Sequence, residues 1–420
     1  MMIGRRKSHA TVFFFEDSRI IEPWHQGPLT EHFGSYILLL KQQGYSRSSA
    51  QAQILLISRF SQWLERNGIE TCTVDACTLQ RFLRDYKRKR RVRSGDAAAL
   101  ARFLVLLRQK QAVPNPQPAP VSTQRRVTAR FQRYLVQERR LSQGTSAYCV
   151  RFAYRFLCER FKQGGVKLGC IRASDVTSFI QRHAHQHSPG YAKLLVTSLR
   201  SFFRHLHHRG VIATDLAASV PTVPSWSFSA LPKLLPVGVV SRVLKNCDRQ
   251  TPLGRRDYAI LLLLARLGLR TCEVASLNLE DIDWDTGQIR VCGKGGESAS
   301  LPLPADVGEA LATHLRSGRP CCTSRRVFIR NRAPFTEFAS PVAISCLVRN
   351  ALKKAGLDST RRGAHLFRHT LATNLLRQGC SLDEIGELLR HRSPNTTAIY
   401  AKVDLVALRT LALPWPGGGQ

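Results

Sequence analysis

Apolar side chains recur at three- and four-residue intervals through the first half of the chain. Phe33, Ile37 and Leu40 stack at helical spacing, as do Ile54, Ile57, Phe60 and Leu64, so Thr30 to Leu107 reads as mostly helical. Gly44 and Gly68 stand where those helices should stop. The pattern then repeats. Phe131 and Tyr134 match Phe33 and Tyr36, Arg155-Phe156 matches Arg59-Phe60, and Gly164 falls where Gly68 did. Ile171 through Phe179 mirrors Val74 through Phe82. A shared offset with small insertions predicts a duplicated helical domain rather than a solenoid, which needs more copies.

Prolines separate the pieces. Pro114, Pro116, Pro118 and Pro120 make a stiff extended linker, and Pro221, Pro224, Pro232 and Pro236 make a second. The expected boundaries are a tail at 1–25, a first helical domain at 26–112 and a linker at 113–120. A second helical domain at 121–220, a linker at 221–236 and a larger domain at 237–420 follow.

From Val237 the pattern becomes α+β. Arg255 to Leu267 reads as an apolar helix closed by Gly268. Short strands are expected at Ile282–Trp284, Gln288–Val291 and Ser300–Leu303. The turns between them are Asp285-Thr286-Gly287 and Gly293-Lys294-Gly295-Gly296. Another short strand is expected near Val327–Ile329, with helices elsewhere.

Charge changes the picture most. The chain carries 63 Lys and Arg against 29 Asp and Glu, a net charge of +34. So large an excess repels itself unless a polyanion is a regular partner, and duplex nucleic acid is the obvious one. Lys87, Arg88, Lys89, Arg90, Arg91 and Arg93 form a basic run broken only by Val92, readable as a solvated helix end or as a phosphate-tracking surface. We take the second, because of the net charge. The twelve cysteines include no C-x-x-C pair and suit a reducing compartment. His183, His185 and His187 alternate without a nearby carboxylate or cysteine, which predicts loop histidines and no metal site. No apolar run is long enough for a signal peptide or a membrane span, so a cytoplasmic protein is expected.

Candidate chemistry lies near the C-terminus. His365 and Arg368 sit three apart and project from one helix face, while Leu371, Leu375 and Leu376 reach a core. Ser381 with Glu384 forms a capping box, and Ser393-Pro394 opens a last helix. His391 lies between these two helices, and Tyr400 follows. A single His-x-x-Arg pair is ordinary on a protein surface, and a single tyrosine usually packs. Together with Arg270 behind a helix-ending glycine and Lys294 on a Gly-rich turn, they form a constellation.

That constellation resembles the tyrosine recombinase (phage integrase) family from about Val237 to Ala401. The motifs are Gly-Leu-Arg-x-x-Glu at 268–273, Gly-Lys-Gly at 293–295, His-x-x-Arg-His at 365–369, and His391 nine residues before Tyr400. The resemblance implies two all-α, SAM-like DNA-binding domains, the second being the core-binding domain. A mixed α+β, mostly helical catalytic domain with a small antiparallel sheet would follow. It also implies that Tyr400 attacks a scissile phosphate to give a 3′-phosphotyrosine. Arg270 and Arg368 would clamp the phosphate, Lys294 would protonate the leaving 5′ oxygen, His365 would act as acid or base, and His391 would hydrogen-bond the phosphate. No metal, cofactor or ATP is called for. The sequence offers no carboxylate cluster for Mg²⁺, and Gly293-Lys294-Gly295-Gly296 lacks P-loop spacing. The implied partners are double-stranded recombination sites, further copies of the chain in a tetramer on nucleoid DNA, and other recombinases of the same mobile element. The implied role is integration or transposition.

Two features depart from the family's usual plan. Arg390 stands where a glycine usually precedes the second histidine, which puts the local backbone or phosphate contact in question. The duplicated N-terminal domain exceeds the two-domain arrangement. Beyond Tyr400, Val403 to Leu411 would pack on its own domain or on a neighbouring protomer. A catalytically silent DNA-binding relative is the alternative from another class, though every catalytic position is filled. A type IB topoisomerase shares the chemistry but fits the tandem N-terminal domains poorly.

Overall fold

A computed structural model describes residues 27–115, 121–162, 165–223, 234–293, 297–357 and 363–403. The expected tail at 1–25, most of both proline-rich linkers, the turn at 294–296 and the segment after 403 lie outside the described residues. By its contacts the chain divides into two units, 1–116 with 231–420, and 117–230.

The first unit opens with α1 (Phe33–Gln42), α2 (Arg47–Arg66), α3 (Ala76–Lys89) and α4 (Asp96–Gln109), with a 3-10 turn at Thr71–Thr73. Phe33, Ile37, Leu40, Ile54, Ile57, Phe60 and Leu64 all enter one core, as their spacing requires. Gly44 and Gly68 follow α1 and α2 at φ +76° and +58°, the left-handed conformation that closes a helix without a Cβ penalty. Asp75 caps α3 by accepting the Thr78 backbone N–H at 2.7 Å.

The second unit holds α5 (Thr123–Arg133), α6 (Gln143–Arg160), α7 (Ala173–Ala184) and α8 (Pro189–His208), with a 3-10 turn at Leu168–Cys170. Its order of elements is that of α1 to α4, and small details recur. Phe131 packs edge-on to Phe202 of the last helix, as Phe33 does to Phe103. Arg155 donates to the Tyr191 hydroxyl of α8 and Arg59 to that of Tyr86 on α3, so these two partners come from different helices of the two sets.

One expectation fails here. His183 is not a loop residue. It lies on α7, 8% exposed, with Nε2 at 2.8 and 2.9 Å from the two carboxylate oxygens of Glu159 on α6. Twenty-four residues of separation hid that carboxylate from a local reading. Among the described residues no group of three or more His, Cys, Asp or Glu side chains is placed to hold a metal.

The first unit resumes with α9 (Val239–Lys245), α10 (Pro252–Arg266) and α11 (Thr271–Ser276). Ala259 to Leu264 are all buried, so α10 is the central helix of this core. Strands β1 (Ile282–Asp283), β2 (Gln288–Cys292) and β3 (Ser298–Pro302) make an antiparallel meander with Ile282 opposite Ile289 and Arg290 opposite Ser300. β2 buries Ile289 and Val291 and exposes the residues between, the alternation of a one-faced sheet. The expected strand at Val327–Ile329 is corrected. The three residues are fully buried, but only isolated bridges flank them, Asn278 to Arg326 and Ile329 to Glu337. Their apolar run reflects burial alone, since the segment meets loop backbone rather than another strand.

Then come α12 (Ala305–Ser317), α13 (Val342–Lys354), α14 (His365–Arg377), α15 (Leu382–Leu389) and α16 (Pro394–Thr397), which runs into a 3-10 turn at Ala398–Val403. On α14, Leu366 and Phe367 enter the large core. Leu371, Leu375 and Leu376 pack instead on a small cluster of Ala372, Ile385, Leu389 and Tyr400. α14 therefore fixes Tyr400 against the main body of the domain. No helix among the described residues is long and apolar enough to cross a membrane.

Candidate active site

The site is built on three helix ends. Gly268 follows α10 at φ +56°, and a Cβ there would lie 2.8 Å from Leu389 Cδ2, so glycine is needed for conformation and for space. The turn delivers Arg270 as the N-cap of α11. The Arg270 backbone N–H donates to Glu273 Oε2 at 2.9 Å, and its Nη1 donates to Oε1 at 2.7 Å. Glu273, 1% exposed, is the orienting partner of that arginine.

Arg368, one turn into α14, is 4% exposed. Its Nη1 donates to the Gly268 carbonyl at 2.6 Å, and its Nη2 donates to the Leu389 carbonyl. The guanidinium therefore joins the ends of α10 and α15. Burial, then the charges of Arg270 and Arg390, pull its pKa down to about 10, so it stays cationic at neutral pH.

The third end is that of α15. Ser381 opens the helix with the expected capping box, its Oγ accepting the Glu384 N–H while Glu384 accepts the Ser381 N–H. Arg390 closes it at φ 55° and ψ 53°. This is the conformation glycine supplies most readily at helix ends, so the unusual arginine keeps a glycine-like backbone there. The His391 N–H then bonds the Gly386 carbonyl at 2.9 Å. The Arg390 side chain turns inward and donates from Nη2 to Glu273 Oε2 at 2.9 Å.

His391 Nδ1 lies 2.7 Å from Thr397 Oγ1, and its ring stacks almost parallel to Tyr400 with 6.5 Å between centroids. Burial, followed by the nearby arginines, pushes its pKa down to about 4, so the imidazole is neutral at pH 7. Tyr400 is 1% exposed, and its hydroxyl is hydrogen-bonded to His369 Nδ1 at 2.9 Å. Burial raises the phenol pKa to about 12, with Arg368 opposing. Partial loss of water, then the charges of Arg368 and Arg270, lower the pKa of His365, whose ring is 6.4 Å from that of His369.

Arg270, His365, Arg368, His391 and Tyr400 are thus gathered in one place. Lys294 lies outside the described residues. The residues flanking its turn are placed, with the Gly293 N–H on the Glu297 carbonyl at 2.7 Å. Glu297 also pairs with Arg392, next to His391, at 2.5 Å. The basic run belongs elsewhere, at the end of α3. Lys87, Arg88, Arg90, Arg91 and Arg93 are exposed there, and of the Lys89 side chain nothing is described. Beside it a concavity of about 620 Å³ is lined by Arg59, Trp63, Arg66, Tyr86, Arg88 and Arg90, a mixture of cations and aromatic faces.

Sequence reasoning gave no role to His369, Thr397 or Arg390. For His369 a signal existed, since it stands four residues after His365 on the same helix face. For Arg390 the partner Glu273 comes from 117 residues away, and for Thr397 the turn after α15 brings it back to His391, six residues earlier.

The phage integrase family model matches residues 233–405. The integrase/recombinase y4rA of Sinorhizobium fredii is 45% identical over 398 residues, 94% of this chain and 96% of that protein. The tyrosine recombinase XerD of Listeria monocytogenes is 30% identical over 286 residues, 66% of this chain and 94% of that protein. Among solved structures, the XerH site-specific recombinase bound to a palindromic difH substrate aligns with a TM-score of 0.53 and 18% identity. It covers 71% of this chain and 98% of that one. A lambda integrase tetramer bound to a Holliday junction aligns at 0.51 and 18%, covering 72% and 86%. These two share the fold. With a relative alike over nearly its whole length, the chain belongs to the phage integrase family and is a tyrosine site-specific recombinase.

Proposed function

We propose that this recombinase cuts and rejoins duplex DNA through a 3′-phosphotyrosine at Tyr400, in the service of a mobile genetic element. The observation that carries the reading is the convergence of two guanidiniums, Arg270 and Arg368, with a neutral His391 on the far side of a ring stack from Tyr400. A phosphodiester under attack gathers negative charge on its non-bridging oxygens, and fixed cations in a water-poor site stabilise that charge most. The planar forks of Arg270 and Arg368 suit those oxygens, and His391 adds a hydrogen bond.

In the forward step the Tyr400 oxygen forms a bond to phosphorus, and the bond from phosphorus to the 5′ oxygen breaks. The leaving oxygen takes its proton from Lys294, and the phenol gives its own to a neutral imidazole, His365 or His369. The phosphotyrosine keeps the bond energy, so a 5′ hydroxyl from the other duplex reverses the step without ATP or a metal. Two sites and four active tyrosines call for a tetramer, the state named for the lambda integrase structure. The two helical segments at 26–112 and 121–220 are read as duplicated DNA-binding domains that hold each duplex against the catalytic domain, consistent with the charge of +34.

A nicked suicide duplex carrying the element's own end sequence tests this. Wild type should become attached to the 3′ phosphate, and Tyr400→Phe should bind the duplex without attaching. An adduct formed by the Phe variant would remove Tyr400 from the role.

A further inference from the structure

Arg390 is the residue that the chemistry above leaves without a task. It occupies a left-handed backbone position at φ 55°, where a side chain costs free energy that glycine would not. Its side chain is only 12% exposed, its Nη1 is spent on the Leu388 carbonyl at 3.0 Å, and its Nε is buried with no partner among the described residues. A solvated surface arginine would show none of this. Among the described residues its one ionic contact is with Glu273, whose Oε2 it reaches at 2.9 Å.

That carboxylate is the one Arg270 also uses. Alone with Arg270, Glu273 could take both of its oxygens to one guanidinium in a fork, neutralising the cation meant for the phosphate. Here Oε1 goes to Arg270 Nη1, while Oε2 is shared by the Arg270 backbone N–H and Arg390. The cluster of Arg270, Arg368, Arg390 and Glu273 holds three cations and one anion, two positive charges net instead of one.

We infer that Arg390 is a positioning residue that takes up part of the Glu273 charge, leaving the charge of Arg270 directed at the scissile phosphate. It acts through Glu273 and does not touch the substrate. This rests on the recombination chemistry proposed above.

The test compares rates of covalent adduct formation by full-length protein on two nicked duplexes. One has an ordinary scissile phosphodiester and the other an uncharged methylphosphonate at the same position. Arg390→Gly and Arg390→Met should slow attachment at the phosphodiester by about tenfold or more, the scale expected when charge stabilisation at a reacting phosphate is weakened. Arg390→Lys should recover most of that loss. On the uncharged linkage the deficit should shrink, because less negative charge needs a counterpart, and DNA affinity should stay at the wild-type value. A purely structural role would slow both linkages equally and would not be rescued by lysine. That result, or wild-type rates for Arg390→Gly, overturns the inference. If Arg390→Gly does not fold, Arg390→Met and Glu273→Gln carry the comparison. With no carboxylate to share, Arg390→Met in the Glu273→Gln background should have no effect on the phosphodiester rate, and a retained effect overturns the inference. Absence of any adduct from wild type would instead overturn the phosphotyrosine chemistry, and this role with it.

Discussion

The hydroxyl of Tyr400 and Nδ1 of His369 share a hydrogen bond of 2.9 Å, inside a pocket that leaves the tyrosine 1% exposed. Burial raises the pKa of this phenol to about 12, so the proposed nucleophile is protonated at neutral pH in the free protein.

That bond makes a stability prediction. His369→Phe strands a buried hydroxyl and should cost about 1–3 kcal/mol in urea unfolding. In a Tyr400→Phe background the same change should cost about 1 kcal/mol less, because there is no hydroxyl left to strand. Strictly additive losses would mean that the two side chains do not interact.

The basic run at the end of α3 predicts a salt dependence. Replacing Lys87, Arg88, Arg90 and Arg91 with glutamine should weaken binding to specific and random duplexes alike. It should also flatten the plot of log affinity against log salt by about 0.9 for each phosphate that is no longer neutralised. An unchanged slope would return these residues to the role of a solvated helix end.

His314 predicts acid sensitivity. It is fully buried on α12, donates from Nε2 to the Val327 carbonyl at 3.2 Å, and has a pKa pushed down to about 4 by burial. Unfolded, the imidazole returns to about 6.5, so between those values the unfolded chain binds more protons than the folded one. The stability tied to neutral His314 is fully present above pH 6.5 and is lost as pH falls toward 4. It amounts to on the order of 3 kcal/mol. Denaturant midpoints measured across that range should fall more steeply for wild type than for His314→Leu, although the variant is weaker at pH 7. Parallel curves would show that His314 titrates normally.

The sequence made some of this site legible and hid the rest for identifiable reasons. His365 and Arg368 share a helix face, and Arg270 follows a helix-ending glycine, so local spacing placed them, while the motif order shared with a known family marked them as a site. The sheet was readable because Gly287 and the Gly293 turn bracket β2, an alternating strand. The partners were not. Arg390 and Glu273 meet across 117 residues, and His183 and Glu159 across 24, distances over which periodicity carries no information. Val327 to Ile329 misled because a buried apolar run has the same composition whether or not a neighbouring strand completes a ladder.

The central claim is that Tyr400 makes the bond to DNA. Wild-type protein should be trapped on a nicked duplex, digested with a protease, and the DNA-linked peptide sequenced by mass spectrometry. The account predicts a nucleotide joined through its 3′ phosphate to the tyrosine in Thr396-Thr397-Ala398-Ile399-Tyr400-Ala401. A nucleotide attached to any other residue, or joined through a 5′ phosphate, would contradict it.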